Sequence, residues 1–527
     1  MKHSDVVLIS PPQYLSQNKD NITSLGGFEH LGLGYLAASL ERANNSVEIF
    51  IVESSNMTPS EVVLKTMELT PYLIGISPTS HSMEWTESFC QLCKKNANTI
   101  IAIGGHLATH MGKQILEDNE NVDIICAYDG EKTICELTYN IKSGIYDFKN
   151  INNLIYRNEK GDIITQIENI PNDLDQLPWP KRCFLGSGSA RMLISRGCAY
   201  ACNFCTTPDF YHRKIRYRDV ADVIEEMIEL KKNYNVARFF FTDDSFVDNS
   251  NKSIQYVEDF ISSISKHLPT IEFRCEIRAD VIVENQNLIK KLYDAGMKYL
   301  FVGFESCIES ELNELNKRID LATIKSVPNI LSQIGISVVP GFIMYNQNTT
   351  LNDLKKKIDF LYMNNYLYRT TTFTRTCLGY PGSMYYKNMK QEKTYDEYRS
   401  NKYLLYPNFE DSRIRILSTA FEEIEYMYLK PDSIMLNSVV YFYDKYVLRK
   451  TTHTETAGGL LNQATQTLKS IQDAYYALYL ESLEIAKLEK DATICIIALF
   501  EQQLDLIQSK VDLFLSLVDK VDRSASI

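Results

Sequence analysis

The sequence predicts an α/β fold class in three parts. These are a doubly wound, Rossmann-like (flavodoxin-like) domain over residues 1–145, a partial (β/α)6 barrel over 188–400 and a helical domain over 401–527, with a linker at 146–187. Three observations predict it. Short apolar or β-branched runs alternate with helical patterns through the first 145 residues, as buried parallel strands and their crossover helices do. The same alternation resumes at 188 with six further runs. From Thr454 to Lys520 apolar residues recur at helical spacing with few breakers.

In the first array the strands are Val6–Ile9, Val47–Val52, Leu73–Ser77, Ile100–Gly104 and Val122–Cys126. The helices are Gly32–Arg42, Ser60–Glu68, Glu84–Lys95, His110–Asn119 and Glu131–Asn140. Right-handed crossovers leave few topologies, and the strand order 2-1-3-4-5 is expected. Ligands of such sheets lie beyond the carboxyl ends of the strands. Polar turns stand there: Ser10-Pro11-Pro12-Gln13, Ser77-Pro78-Thr79-Ser80, Gly104-Gly105-His106 and Tyr128-Asp129-Gly130-Glu131. Their small residues and free backbone N–H groups suit a phosphate-bearing tail.

The linker is rich in Asn, Asp and Gly and is stiffened at Leu177-Pro178-Trp179-Pro180. The second array opens on Cys198, Cys202 and Cys205, at C-x3-C-x2-C spacing in a loop that Gly197 lets turn tightly. Three clustered thiolates would hold a [4Fe–4S] cluster with one iron open, since such clusters take four thiolates when fully protein-bound. They would also serve a zinc site completed by a fourth ligand such as His212, or pack as small buried hydrophobes. A zinc ribbon has no reason to open a six-stranded βα array, whereas barrels keep their chemistry at the carboxyl ends of strands, where these cysteines fall. The basic run His212-Arg213-Lys214-Ile215-Arg216-Tyr217-Arg218 follows; it reads as a solvated turn, with an anionic substrate contact as the sharper alternative.

With Phe204 just before the last cysteine, the spacing resembles the radical S-adenosylmethionine (SAM) superfamily. The first array resembles the cobalamin (B12)-binding domain that precedes many such barrels, through Pro11-Pro12, the Leu31 to Ala38 helix start and the Gly104 to Thr109 turn. The family's Gly-Glu-Gly-Glu is altered here to Tyr128-Asp129-Gly130-Glu131, and no histidine stands in an Asp-x-His-x-x-Gly arrangement. The resemblance implies cluster ligation by Cys198, Cys202 and Cys205, and cobalamin contacts from Pro11, Pro12, Ser77, Gly104, Gly105, His106, Gly130 and Glu131.

The remaining barrel strands are Arg238–Thr242, Glu272–Cys275, Tyr299–Gly303, Ser337–Phe342 and Arg369–Arg375, after a first strand at Met192–Ser195. Their helices are Val220–Tyr234, Ser250–Lys266, Gln286–Ala295, Ala322–Ile334 and Leu351–Asn364. By resemblance, SAM would be met by Phe204, Asp243, Arg278 and Glu305, the last in Gly303-Phe304-Glu305-Ser306. Arg274, Glu276 and Arg278 alternate and so share one strand face. The family's Gly-x-Pro-Gly-Glu-Thr is replaced by Tyr345-Asn346-Gln347-Asn348-Thr349-Thr350, so contacts of that loop do not carry over. Cys377, Cys90 and Cys93 read as packing residues, and the C-terminal helices as scaffold or as a wall of the substrate pocket.

Composition narrows the function classes. A net charge of −12 excludes a broad nucleic-acid footprint. Twelve cysteines without a disulfide framework or a secretory leader fit a cytoplasmic protein, and no apolar run is long enough for a membrane span. The resemblance implies a cobalamin-dependent radical SAM enzyme using a [4Fe–4S] cluster, SAM and methylcobalamin. Its expected reaction is methylation of an unactivated carbon or phosphorus in a specialised-metabolite or peptide substrate, with electrons from an external donor such as flavodoxin or ferredoxin. Alternatives are rearrangement, ring contraction or oxidative cyclisation without methyl transfer, and a cobalamin-binding sensor or scaffold with a vestigial cluster. The intact cysteine loop argues against the last. A tRNA methylthiolating enzyme would need cluster-spaced cysteines in the first domain, which Cys90, Cys93, Cys126 and Cys135 do not provide.

Overall fold

A computed structural model describes residues 3–12, 29–52, 57–96, 99–168, 171–183, 188–368, 370–425, 439 and 455–525. The chain forms two compact units. The first comprises Met1–Phe239, Gly379–Gln391 and Glu397–Leu405, and the second Phe240–Leu378, Glu392–Asp396 and Tyr406–Ile527.

The first unit opens with β1 (Val6–Ser10), α1 (Leu31–Arg42), β2 (Val47–Ile51), α2 (Pro59–Glu68), β3 (Leu73–Ile76), α3 (Met83–Asn96), β4 (Ile100–Gly104), α4 (His106–Asp118), β5 (Ile124–Cys126) and α5 (Glu131–Lys142). These strands lie parallel in the expected order β2-β1-β3-β4-β5. Every residue of β1 is buried, as a strand covered on both faces requires. Leu33, Leu40, Leu137 and Ile141 of α1 and α5 pack on one face, and Val62, Phe89, Leu107 and Ile115 of α2, α3 and α4 on the other. Helix α2 starts where its sequence says: Thr58 and Glu61 form a capping box, with Pro59 at the first helical position.

The segment expected to be a linker is partly sheet. β6 (Leu154–Arg157) and β7 (Ile163–Gln166) form a hairpin that extends the sheet antiparallel from β5. The apolar Leu154-Ile155-Tyr156 run finds an open edge there, and the Asn158 side chain accepts from the N–H groups of Lys160 and Asp162 to close the turn. The proline-stiffened part docks on α1, where Lys181 N–H donates to Gly34 O. A Cβ on Gly34 would sit 2.8 Å from Lys181 O, so this glycine of the Leu-Gly-Leu-Gly motif permits the close approach.

The first barrel strand is also split. β8 (Ser189–Met192) ends early, and β9 (Ser195–Arg196) pairs antiparallel with β10 (Arg216–Tyr217), closing the neck of the cysteine loop. Between them lies the short α6 (Thr207–Phe210), followed by α7 (Val220–Tyr234) and β11 (Arg238–Phe241), whose first residue, with Ala237, donates to Gly188 O beside β8.

The second unit continues with α8 (Asn251–His267), β12 (Glu272–Arg278), α9 (Ala279–Glu284), α10 (Gln286–Asp294), β13 (Met297–Glu305), α11 (Glu309–Glu314), α12 (Leu321–Ile334), β14 (Ser337–Phe342) and α13 (Leu351–Met363). β12, β13 and β14 are parallel neighbours, with β11 beyond β12. Phe241, Phe246, Phe260 and Phe273 pack mostly edge to face at their base. The expected sixth strand, Arg369–Arg375, is not formed among the described residues; Arg369 itself lies outside them, and Thr370–Phe373 make a 3-10 turn. β14 stops at Phe342, so the returning chain finds a ladder partner only at the single parallel bridge Tyr345–Thr376.

After α14 (Met384–Glu392) and α15 (412–425) come α16 (Glu455–Ala486) and α17 (Ala492–Ala525), which pack on each other. Tyr362 of α13 stacks on Tyr476 of α16, and Tyr476 donates to Asp359. The tail is thus fused to the outer wall of the strand array. Among the described residues no helix is long and apolar enough to cross a membrane.

Candidate active site

The cysteine loop is fixed at its base by backbone geometry. Gly197 has φ of +107°, and a Cβ there would lie 2.1 Å from Lys214 O. Cys198 is buried, Cys202 and Cys205 are half-buried, and Cys205 N–H donates to Cys202 O. Phe204 is half-buried beside them. The fold places Cys198 just after β9, where barrels keep their chemistry. Among the described residues no three His, Cys, Asp or Glu side chains converge on one ion. Three thiols on one turn, with Phe204 beside them, supply the sulfur-only donor set that an iron–sulfur cluster takes.

Arg196 and Arg216, on the strand pair that closes the loop, reach back to the turn after β5. Arg196 meets Asp129 at 3.1 Å and Glu131 at 2.7 Å, and Arg216 meets Asp129 at 2.6 Å. Asn172 completes the knot, its N–H on Asp129 and its side-chain amide on Glu131. Burial opposes the charge of Arg196, but Glu131 and Asp129 hold its guanidinium above the ordinary value; Arg196 and Arg216 hold Asp129 below its own despite burial. Glu131 is held through both oxygens, one by Arg196 and one by Asn172. The basic run is a solvated turn over His212-Arg213-Lys214, as expected, while Arg216 and Arg218 turn inward, Arg218 against Glu226 and Asp222.

The other strand-end residues of the first unit gather at the carboxyl edge. Pro11 is buried after β1 and Pro12 half-buried. Ser77 N–H donates to Ile9 O, and Gly104 and Gly105 lead into α4, where Thr109 Oγ1 donates to Gly105 O and accepts from Tyr128 N–H. Gly130 caps α5. His106 stacks on Phe210, five residues beyond Cys205, with ring centroids 4.0 Å apart. Its ring is reachable by solvent yet walled by protein, and that enclosure pushes it down to about 4. A neutral, enclosed, accessible imidazole beside turns of small residues fits the edge of a large planar cofactor.

In the second unit the rim of the strand array carries paired charges. Glu305 ends β13 at φ +61°, a left-handed conformation uncommon outside glycine. Lys317 Nζ holds it at 2.8 Å. Arg278, expected to meet SAM, is buried with its guanidinium on Asp280 and Lys317 O, which ties it to the Lys317 segment. Asp243 is buried close enough to Cys275 to help raise that thiol, behind burial itself, while Asp244 is exposed at the rim. Asp243 and Asp244 thus stand just past the end of β11, one turned inward and the other outward. Glu276 is reachable by solvent but enclosed; enclosure pushes it up to about 7, with Asp244 and Glu305 adding to the rise and Arg274 opposing it. Arg274 is itself sandwiched over Phe240 and Tyr299. The glycine-poor loop at Asn346 is held from below, since Thr349 Oγ1 bonds Glu311, and Glu311 pairs with the wholly buried Lys357. Cys377 is buried, as expected, and burial raises its thiol.

The roles of Arg196 and Lys317 and the enclosed character of Glu276 were not legible beforehand. Arg196 stood in the cysteine motif, but its partners lie 65 and 67 residues away, and spacing carries no signal for such a pair.

Comparison with known proteins agrees with this geometry. A model of the radical SAM superfamily matches residues 192–361, and one of the B12 binding domain matches residues 19–138. An anaerobic magnesium-protoporphyrin IX monomethyl ester cyclase of Rubrivivax gelatinosus is 24% identical over 66% of this chain and 64% of its own length. An uncharacterized methyltransferase of Pyrococcus horikoshii is 25% identical over 68% of this chain and 78% of its own. Among solved structures, the cobalamin-dependent SAM radical enzyme OxsB is similar in fold, with a TM-score of 0.68 at 17% identity over 99% of this chain and 80% of that one. The chain thus carries a B12 binding domain followed by a radical SAM domain. Its cofactors are a [4Fe–4S] cluster, SAM and cobalamin.

Proposed function

We propose that the chain is a cobalamin-dependent methyltransferase acting on an unactivated carbon, or a phosphorus, of a small specialised-metabolite or peptide substrate. One observation supports it most: the turns of the cobalamin-binding domain and the cysteine loop are locked together inside one unit by Arg196, Arg216, Asp129 and Glu131. When bound, the cluster with SAM supplies a hydrogen-abstracting radical and cobalamin supplies a methyl group. Cys198, Cys202 and Cys205 would hold the cluster, and Gly197 sets their loop. Phe210 and His106 would wall the space beside it. Glu305 and Lys317, with Asp244 and Glu276, would give the SAM and substrate polar partners at the strand ends, and Glu276 can hold or release a proton near neutrality. The methyltransferase relative supports the transfer reading.

The cyclase relative favours a second reading, ring formation or rearrangement without methyl transfer. The test uses anaerobically reconstituted protein with cobalamin, methyl-deuterated SAM, a strong reductant and candidate substrates. Label in the substrate, with S-adenosylhomocysteine and 5′-deoxyadenosine, supports methyl transfer. Substrate conversion with deoxyadenosine alone supports cyclisation. Iron bound without cobalt overturns the reading of the first domain. Cys202→Ala is expected to lose the cluster and all SAM cleavage while still binding cobalamin.

A further inference from the structure

The Glu305 side chain leaves the sheet at a break in its ladder. The β13–β14 register shifts between Gly303 and Glu305, so Phe304 has no partner across the ladder. Such a bulge bends the strand and re-aims the side chain beside it. Glu305 takes its left-handed φ of +61° there, and Ile343 N–H donates to its carbonyl at 2.8 Å.

A single cation receives the re-aimed carboxylate. Lys317 Nζ donates to Glu305 Oε1 at 2.8 Å, and the other carboxylate oxygen makes no hydrogen bond among the described residues. The Lys317 side chain is only 5% exposed, which lysines almost never are unless paired. Its backbone is gripped from two sides. Arg278, at the end of β12, donates to Lys317 O at 2.7 Å, and Lys317 N–H donates to Leu312 O of α11 at 2.9 Å. Asn316 and Arg318 flank it with left-handed φ values of +50° and +54°. Gly303 leaves the room: a Cβ there would lie 2.6 Å from Glu305 Oε1 and 3.0 Å from Lys317 Nζ.

Stability does not call for this arrangement, since a buried ion pair is often no better than packed apolar residues. What it supplies is one fixed orientation for a long acidic side chain, with one oxygen occupied and the other left for a ligand.

We propose that Lys317 is a positioning residue for SAM, holding the Glu305 carboxylate in the orientation that binds it. The inference rests on the reading of Glu305 as a SAM contact, and the lysine acts only through that carboxylate.

The test measures SAM affinity by calorimetry on the full chain with its cluster reconstituted and kept oxidised, so that no SAM is cleaved, at equal iron content. Lys317→Met and Glu305→Gln are each expected to weaken SAM about tenfold, the effect of losing one hydrogen bond to a charged group. The double variant is expected to be no weaker than the weaker single, because both remove the same contact. Lys317→Arg, which returns a cation to the site, is expected to recover most of the affinity; a purely structural lysine would show no such link to SAM. Gly303→Ala keeps both charges but forces the two side chains to shift at their flexible ends. It is expected to weaken SAM by itself and to add nothing to Glu305→Gln, and it decides the question if Lys317→Met does not assemble its cluster. Unaltered SAM affinity in Lys317→Met while Glu305→Gln is weakened, or losses that add in the double variants, would overturn the proposal. Unaltered affinity in Glu305→Gln would overturn the reading of Glu305 instead.

Discussion

Replacing Gly197 by alanine is the sharpest test of how the cysteine loop is held. The added Cβ would lie 2.1 Å from Lys214 O and 3.2 Å from the Tyr211 Cβ, at a φ of +107°. Lys214 and Tyr211 belong to the returning arm of the loop, two and five residues before β10 opens at Arg216. A carbon and an oxygen need well over 3 Å, so the two arms must part by about an ångström in a close-packed region. The backbone conformation adds a strain of about 1–3 kcal/mol for any residue with a side chain. A displacement of about 1 Å at a reacting centre costs on the order of 100-fold in rate. Gly197→Ala is therefore expected to bind less iron and sulfide per chain after anaerobic reconstitution. Its dithionite-driven deoxyadenosine formation should fall by about two orders of magnitude. The control is Gly161→Ala in the β6–β7 turn, where φ is +85° but no atom lies within 4 Å of the new Cβ. It carries a similar conformational strain without the collision, and iron content and rate should match the unaltered protein. Full iron and a rate within threefold in Gly197→Ala would refute the reasoning, because the loop would then tolerate an open neck.

Three further outcomes are expected. Arg196→Ala strands Glu131 and half of Asp129 in the interior, and breaking a buried pair costs about 3–5 kcal/mol; a shift of less than 1 kcal/mol in the urea transition of the first unit would show the knot to be ornamental. Glu276→Gln should remove a step near pH 7 from the pH profile of deoxyadenosine formation, since the carboxyl is raised to about 7 and is ionised only above it. Persistence of that step would assign it elsewhere. His30 caps α1 by accepting Leu33 N–H on Nδ1, and burial lowers it to about 4. Its folded-state value lies below the unfolded 6.5, so its contribution is complete above pH 6.5 and is lost as pH falls toward 4, at up to about 1.4 kcal/mol per pH unit. His30→Asn keeps a capping acceptor without the titration, and its thermal stability should fall less between pH 6.5 and 4.5; equal acid sensitivity in both proteins would discount the cap.

The βα alternation was legible because each buried parallel strand must be apolar along its whole length, and β1, with five buried residues in five, is written plainly as Val-Val-Leu-Ile-Ser. The cysteine loop was legible because metal chemistry fixes local spacing. What failed was non-local. The Leu154–Arg157 run looked like linker since nothing nearby announced that β5 left an open edge. The Thr-rich 370–375 run looked like a strand, yet a strand needs a neighbour, and β14 ends too soon to supply one. The Arg196–Glu131 pair carried no signal because its partners are 65 residues apart.

Those buried arginines change how the charge of this chain is understood. Arg196, Arg216, Arg218 and Arg182 flank the cysteine loop, and four carboxylates of the first unit, Asp129, Glu131, Glu226 and Glu29, meet them inside the protein. Taking such ions out of water costs several kcal/mol each before their attraction returns it, and well-packed apolar residues would often be as stable. Stability alone is thus a poor reason for them. Ion pairs with fixed donor geometry do what apolar contacts cannot: they set one register between the strand pair at the neck of the loop and the turns after the sheet. If the Arg196→Ala protein binds cobalamin and assembles its cluster yet fails to transfer a methyl group, register is what the ion pairs supply; if it loses only stability, they are packing. The return arm keeps Arg213 and Lys214 exposed, so the arginines spent inward are those that hold the strand pair in register with the turns.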